Sequence, residues 1–82
     1  MVVEVLDSGF CPKCSAVAQR VKKVCVELGA EVRVLDPISD AERIREIGIF
    51  TSPVVVINGK VKFAGTVPSE DKIRKAIEEE RS

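Results

Sequence analysis

The segment PVVVINGKVKFAG, residues 53–65, restricts the possible folds of this chain more than any other. Two runs rich in β-branched residues flank the dipeptide Asn58-Gly59. This dipeptide strongly favours the two-residue turn of a β-hairpin, because Asn and Gly both tolerate a positive φ angle. The segment therefore predicts two antiparallel strands joined at residues 58 and 59, the second of them at a sheet edge.

Further strands and a long helix are predicted before the hairpin. Residues 2–6, VVEVL, are almost continuously apolar, which is typical of a strand buried on both faces. A helix is expected to begin near Pro12 and to end at Gly29, followed by an alternating strand over residues 31–36 that is expected near the sheet edge. The helix has apolar residues at spacings of three and four, which predict its buried face: Val17, Ala18, Val21, Val24, Cys25 and Leu28.

Two shorter helices complete the predicted elements. Ser39 and Glu42 have the spacing of a capping box, which predicts the start of a short helix that Gly48 ends. A last helix is expected from about Pro68, and its charged end, residues 78–82, is expected to be solvated. Its buried stripe is predicted to consist of Ile73, Ala76 and Ile77.

The predicted order of elements is β-α-β-α-β-β-α. Two successive βα units imply parallel strands joined by right-handed crossovers, and the hairpin adds an antiparallel edge strand. Eighty-two residues allow one hydrophobic core, so residues 1–82 are expected to form one domain. The predicted fold class is α/β, with a four-stranded mixed sheet flanked by three helices.

The composition argues against several classes of function. Thirteen basic and thirteen acidic side chains cancel, and Trp and Tyr are absent, so nucleic-acid binding is not expected. No apolar run approaches the roughly 20 residues of a membrane-spanning helix, and the N-terminus lacks the basic region of a signal peptide. We therefore expect a cytoplasmic protein, in a compartment where thiols are kept reduced.

Cys11 and Cys14, in the segment SGFCPKCSA, are the strongest candidates for chemistry. They are expected at the start of the first helix, at the carboxyl end of the first strand, where ligands collect in open α/β sheets. The helix dipole, and Lys13 nearby, favour a thiolate at Cys11, which would lower its pKa. Cys14 follows one turn later, with the two Cα atoms roughly 5–6 Å apart, within the range of a disulfide.

Three interpretations of this pair are open: a redox couple, a metal site or an inert structural feature. One pair supplies two thiolates, whereas structural zinc requires four ligands, and the chain contains no His. We therefore favour the redox couple, with no metal and no organic cofactor. A thiol-based metal carrier and a redox-sensing binding module are the alternatives. Cys25, three helical turns beyond Cys14, is interpreted as a small core residue.

The chain resembles the thioredoxin and glutaredoxin superfamily, and especially its small members with a redox-active disulfide. The resemblance rests on CPKC at residues 11–14, TSPVVVINGKV at 51–61 and AGTVPSE at 64–70. It implies a thioredoxin-like fold and a thiol–disulfide oxidoreductase. It further implies that Cys11 attacks a disulfide and Cys14 resolves the intermediate.

The resemblance also assigns residues around the pair. Pro53 corresponds to the cis-proline that faces the two cysteines in the family. The backbone just before it, at Thr51 and Ser52, is where family members dock an extended peptide or glutathione. The residues that flank or tune the pair are Phe10, Pro12 and Lys13.

Several residues depart from the pattern of typical thioredoxins. Phe10 replaces a tryptophan, Pro-Lys replaces Gly-Pro between the cysteines, and Val5 lies where thioredoxins carry a buried acid. The double glycine that helps glutaredoxins bind glutathione has no counterpart in FAGTVP, so the sequence does not favour glutathione as a substrate. Protein disulfides are the expected substrates, and a reductase like thioredoxin reductase is the expected electron donor.

Overall fold

The computed structural model describes residues 1–7, 12–48 and 52–81. Within them, four strands and three helices follow one another in the order predicted from the sequence. The strands are β1 (Val2–Leu6), β2 (Glu31–Leu35), β3 (Val54–Ile57) and β4 (Lys60–Ala64). The helices are α1 (Pro12–Leu28), α2 (Ala41–Ile47) and α3 (Glu70–Arg81).

The strands form one mixed sheet in the order β2-β1-β3-β4, as predicted for the fold class. β1 and β2 are parallel, whereas β3 is antiparallel to both β1 and β4. The expectation that the second βα unit leads into another parallel strand is therefore wrong. α1, with 17 residues, is about 25 Å long and carries the chain back along the sheet. α2 has seven residues, about 10 Å, which is too short to return the chain along a strand of about 16 Å, as a parallel crossover requires.

Both faces of the sheet are covered, but unequally. α1 and α3 pack on one face and form the larger cluster with the inward residues of β1 and β3, such as Val3, Val5 and Ile57. The opposite face carries a smaller cluster, which Ile44 and Ile47 of α2 cover partly: Leu6, Leu35, Val54 and Val56. The predicted burial of β1 on both faces is thus confirmed, as are the predicted apolar stripes of α1 and α3, except that Leu28 is only partly buried.

Glycines end the first two helices, and the predicted turn closes the hairpin. Gly29 and Gly48 have φ angles of 71° and 82°, a left-handed conformation in which a side chain would be strained. Asn58 and Gly59 have φ angles of 54° and 79°, as the hairpin turn requires. These signals were local, and the structure confirms each of them.

The capping box predicted at Ser39 is not formed. Asp40 lies at the N-cap of α2 and makes no side-chain hydrogen bond to the helix. The carboxylate of Asp36 instead accepts the backbone N–H groups of Ile38 and Ser39, at 2.8 and 2.9 Å. The carboxylate of Asp40 accepts the N–H of Asp36 at 2.7 Å, so the two aspartates stabilise the turn before the helix.

The charged end of α3 is more ordered than the sequence predicted. Glu80 is nearly buried and forms ion pairs with Lys60 at 3.3 Å and Lys62 at 2.8 Å, both on β4. Arg81 donates a hydrogen bond to the carbonyl of Leu28 at 2.9 Å. The prediction of a solvated end is therefore wrong at Glu80, whose carboxylate ties α3 to the hairpin.

The Glu80 pairs predict a pH dependence of stability. The hydrogen bond from Lys62 lowers the pKa of Glu80 below its ordinary value. A depressed carboxyl pKa stabilises the fold above the unfolded pKa of about 4.3, and this contribution is lost as the pH falls through the lower, folded value. We expect Glu80→Gln to lower the melting temperature at pH 7 and to have little effect near pH 3. An equal difference at both pH values, measured by circular dichroism, would contradict this role of the charge.

Candidate functional site

The candidate site lies at the carboxyl end of β1. β1 ends at Leu6, and the backbone N–H of Asp7 donates to the carbonyl of Leu35 at 3.3 Å. The chain then enters α1 at Pro12, as the sequence predicted. Three of the predicted site residues lie outside the described residues: Phe10, Cys11 and Thr51.

The first turn of α1 contains three of the predicted site residues. Pro12 and Lys13 are exposed, whereas Cys14, the third residue of the helix, has no exposed surface. The first four backbone N–H groups of a helix lack partners within it, so this turn favours negative charge beside it. The turn thus combines a shielded thiol with a basic side chain at its surface.

The start of β3 lies at the same end of the sheet. Leu6 is paired with Val54, so Pro53 comes just beyond the last paired residue of β1. The Ser52–Pro53 peptide bond is cis, Pro53 is buried, and Ser52 is exposed. The carbonyl of Pro53 accepts the N–H of Gly65 at 2.8 Å, which ties the end of the hairpin to this proline. Topology therefore brings Ser52 and Pro53 to the end of the sheet from which α1 departs.

Val5 lies inside the larger core cluster with no exposed surface. It is paired with Val34 on one side and with Val55 on the other. A carboxyl at this position, as in typical thioredoxins, is replaced here by a packed apolar side chain.

The acidic residue in β1, Glu4, is a buried group that no sequence motif indicated. Glu4 is buried on the face opposite Val5, and its carboxylate accepts two hydrogen bonds from Arg43 of α2, at 2.8 and 2.9 Å. The available signal was one acidic residue within the otherwise apolar run VVEVL. A buried carboxylate requires a partner, but the sequence does not indicate which base supplies it.

Cys25 is a core residue, as the sequence predicted. It is 1% exposed and belongs to the cluster between α1, α3 and the sheet. Burial raises the pKa of its thiol, because the thiolate is disfavoured away from water. The reactive form is therefore scarce at Cys25 near neutral pH.

We expect Cys25→Ala to leave disulfide reduction within about twofold of the wild type and to lower stability by about 1 kcal/mol, through a small cavity. Turnover and chemical denaturation of the same preparation measure the two effects. A loss of activity beyond tenfold in a folded Cys25→Ala variant would show that this thiol takes part in the chemistry.

Two absences concern residues 1–7, 12–48 and 52–81. In these ranges, no three His, Cys, Asp or Glu side chains come together as potential metal ligands. No helix in the same ranges is long and apolar enough to span a membrane.

Comparisons with known proteins show which family model and which relatives this chain matches. Residues 1–78 match the family model described as "Thioredoxin domain". A protein named "Thioredoxin" from Methanocaldococcus jannaschii is 32% identical over 77 residues, 92% of this chain and 89% of that protein. A "Probable Thioredoxin" from Methanothermobacter thermautotrophicus is 34% identical over 80 residues, 95% of this chain and 93% of that protein.

Solved structures share the fold at lower sequence identity. Thioredoxin 1 from Thermosipho africanus superposes with a TM-score of 0.73 at 17% identity, covering 100% of both chains. The thioredoxin of Fasciola hepatica gives a TM-score of 0.72 at 21% identity, over 95% of this chain and 78% of that one. At these identities the likeness establishes the fold alone.

Proposed function

This chain belongs to the thioredoxin family, which makes it a thiol–disulfide oxidoreductase, and from that premise we propose that Cys11 and Cys14 form its redox couple. Cys11 is the attacking thiol and Cys14 the resolving thiol. The observation that carries this proposal is the start of α1 at Pro12, with Cys14 fully buried in its first turn. Cys11 precedes Cys14 by three residues in the sequence, and the burial of Cys14 shields the second thiol from competing disulfides.

The proposed reaction transfers two electrons in two exchange steps. The Cys11 thiolate attacks one sulfur of a substrate disulfide, whose S–S bond breaks, and the released substrate thiolate takes up a proton. Cys14 then loses its proton and attacks the sulfur of Cys11. The mixed disulfide breaks, the second substrate thiolate leaves and is protonated, and a Cys11–Cys14 disulfide remains.

The start of α1 supports a thiolate at Cys11. Backbone N–H groups in the first turn of a helix lack acceptors within the helix and stabilise a negative charge next to them, and the exposed Lys13 adds positive charge. Pro12, as the first helical residue, costs no hydrogen bond and restricts the backbone between the two thiols. Phe10 is proposed to flank the substrate groove.

Substrate docking is proposed at the backbone before the cis-proline. An extended peptide adds main-chain hydrogen bonds at Thr51 and Ser52, beside Pro53. One described feature supports this: Ser52 is exposed and directly precedes the buried Pro53. The hydrogen bond from Gly65 to the Pro53 carbonyl holds the end of the hairpin against this segment.

Thioredoxins act on protein disulfides with reductase partners, and we propose the same classes of partner here. We propose that a reductase like thioredoxin reductase reduces the Cys11–Cys14 disulfide; glutathione is not favoured, since the double glycine of glutaredoxins is missing. We propose that the protein works in the cytosol, where thiols are kept reduced. No metal or organic cofactor is part of the proposed reaction.

The test of this function is turnover on a protein disulfide with dithiothreitol as the final reductant. Released substrate thiols are counted over time, with and without the protein. We expect rate enhancement proportional to protein concentration. A protein that binds stoichiometric metal through its thiols and gives no enhancement would instead be a metal carrier, and the proposal would be wrong.

A further inference from the structure

α2 is weakly anchored by apolar packing. None of its residues is buried, whereas α1 and α3 each contribute several buried side chains to the larger cluster. Only Ile44 and Ile47 reach the smaller cluster, and both stay partly exposed. The apolar contacts alone therefore leave the position of α2 on the sheet loosely determined.

A bidentate ion pair between Arg43 and Glu4 further constrains the position of α2. The Glu4 side chain, 7% exposed, lies on the central strand β1. Its two oxygens accept hydrogen bonds from Nε and Nη2 of Arg43, at 2.9 and 2.8 Å. Two parallel bonds define both the distance and the orientation of the partners, which a single contact does not. α2 cannot shift along the sheet without leaving a buried carboxylate unpaired, which is strongly unfavourable.

The electrostatics around Arg43 favour the same arrangement. The hydrogen bonds and charge of Glu4 raise the pKa of Arg43 above its ordinary value. A second carboxylate, that of Glu46, accepts from Nη1 at 3.3 Å. Arg43 thus contacts one carboxylate on β1 and one on α2, and it lies one helical turn before the end of α2.

The position of α2 bears directly on β3, which begins immediately after Pro53. α2 is capped by Gly48, four residues before Ser52 and five before Pro53. β3, which follows Pro53, pairs with β1 through Leu6–Val54 and Glu4–Val56. Val54 and Val56 lie on the sheet face that α2 covers. Ile44 and Ile47 of α2 therefore pack against the cluster that contains Val54, the residue directly after Pro53.

We propose that Arg43, acting through Glu4, is a positioning residue for substrate docking: the pair seats α2 against Val54 and thereby steadies the start of β3, directly after Pro53. This inference rests on the proposed function, since it assumes that protein substrates dock at Ser52 and Pro53. The pair acts on binding of the extended substrate and leaves the exchange chemistry of the two thiols unchanged. Small disulfides, which make no extended backbone contacts, are unaffected by it.

The test compares Arg43→Gln and Arg43→Lys with the wild type. We expect Arg43→Gln to raise KM for a protein disulfide about tenfold, since small misplacements at a docking site have large effects, with kcat nearly unchanged. Arg43→Lys keeps the charge but loses the fork, and it is expected to restore part of the affinity. Turnover on a small organic disulfide, and the midpoint potential of the thiol pair, should match the wild type.

Arg74→Gln is the matched control. Arg74 also contacts two carboxylates, those of Glu27 and Asp71, at 2.7 and 2.8 Å. Its side chain is 32% exposed, against 42% for Arg43, but it joins α3 to α1 on the opposite face of the sheet. We expect its KM for the protein disulfide to stay within about twofold of the wild type, as for a surface change away from the docking segment.

The outcomes separate this inference from the function on which it rests. Equal KM values for Arg43→Gln and Arg74→Gln, or a parallel loss on protein and small disulfides, would overturn the positioning role. Wild-type protein that reduces neither kind of disulfide would remove the proposed function and this inference together. If Arg43→Gln fails to fold by circular dichroism, Arg43→Lys decides alone, because a wild-type KM in that folded variant contradicts the need for a fork.

Discussion

Cys11→Ser is expected to lower the rate of protein-disulfide reduction by at least about 1,000-fold, because a serine hydroxyl at neutral pH does not replace a thiolate nucleophile. The remaining Cys14 is fully buried in the first turn of α1, so it cannot take over the attack on a bulky substrate. The rate of thiol release from a protein disulfide measures the effect. The fold should be unaffected, since Cys11 precedes the first residue of the helix.

Cys14→Ser is expected to behave differently from Cys11→Ser in the same assay. The attack by Cys11 still proceeds, but the mixed disulfide with the substrate cannot be resolved from within the protein. Non-reducing electrophoresis and intact mass should therefore show a covalent complex, which dithiothreitol releases. Cys25→Ala serves as the control that retains both active thiols. Normal turnover by Cys14→Ser would contradict the two-thiol mechanism.

Ile73→Ala is expected to lower the free energy of unfolding by about 2–5 kcal/mol, the usual cost of removing a buried Ile side chain. Ile73 is 0% exposed and packs α3 into the larger core cluster. Alanine is the better helix former, so helix propensity slightly offsets the loss, and the measured cost is due to packing. In a domain of this size such a loss is a large part of the total stability.

Ile38→Ala makes the same chemical change at a surface position. Ile38 is 87% exposed and lies in the turn before α2. Its replacement is expected to change stability by less than about 0.5 kcal/mol in urea denaturation. Similar losses in the two variants would show that α3 does not cover the sheet as described.

The elements encoded by local signals could be predicted from the sequence. The Asn58-Gly59 turn, the glycines that end α1 and α2, and the start of α1 at Pro12 each depend on the conformational preference of one or two residues. The apolar spacing likewise identified the buried faces of α1 and α3. The location of Cys14 at the start of α1 follows from these elements. The position of Pro53 at the same end of the sheet does not, because a parallel β3 would begin at the opposite end; only the resemblance implied it.

The features that the sequence did not predict depend on contacts between distant segments. The direction of β3 depends on the short length of α2 and on the pairing of β3 with β1. Counting βα units in the sequence gives no information on either. The capping box predicted at Ser39 does not form, because the carboxylate of Asp36 accepts the backbone N–H of Ser39 in the turn before α2. The partner of Glu4 is 39 residues away in the sequence, and the partners of Glu80 are about 20 residues away. Which basic residue pairs with each carboxylate therefore depends on the fold.

A redox titration of the metal-free protein in dithiothreitol and glutathione buffers, with alkylated cysteines located by mass, tests the central claim most directly. The account predicts a two-electron transition confined to Cys11 and Cys14, with a midpoint between about −200 and −300 mV, while Cys25 stays reduced. If Cys11 and Cys14 stay reduced across this range, the pair is not the redox couple of this oxidoreductase.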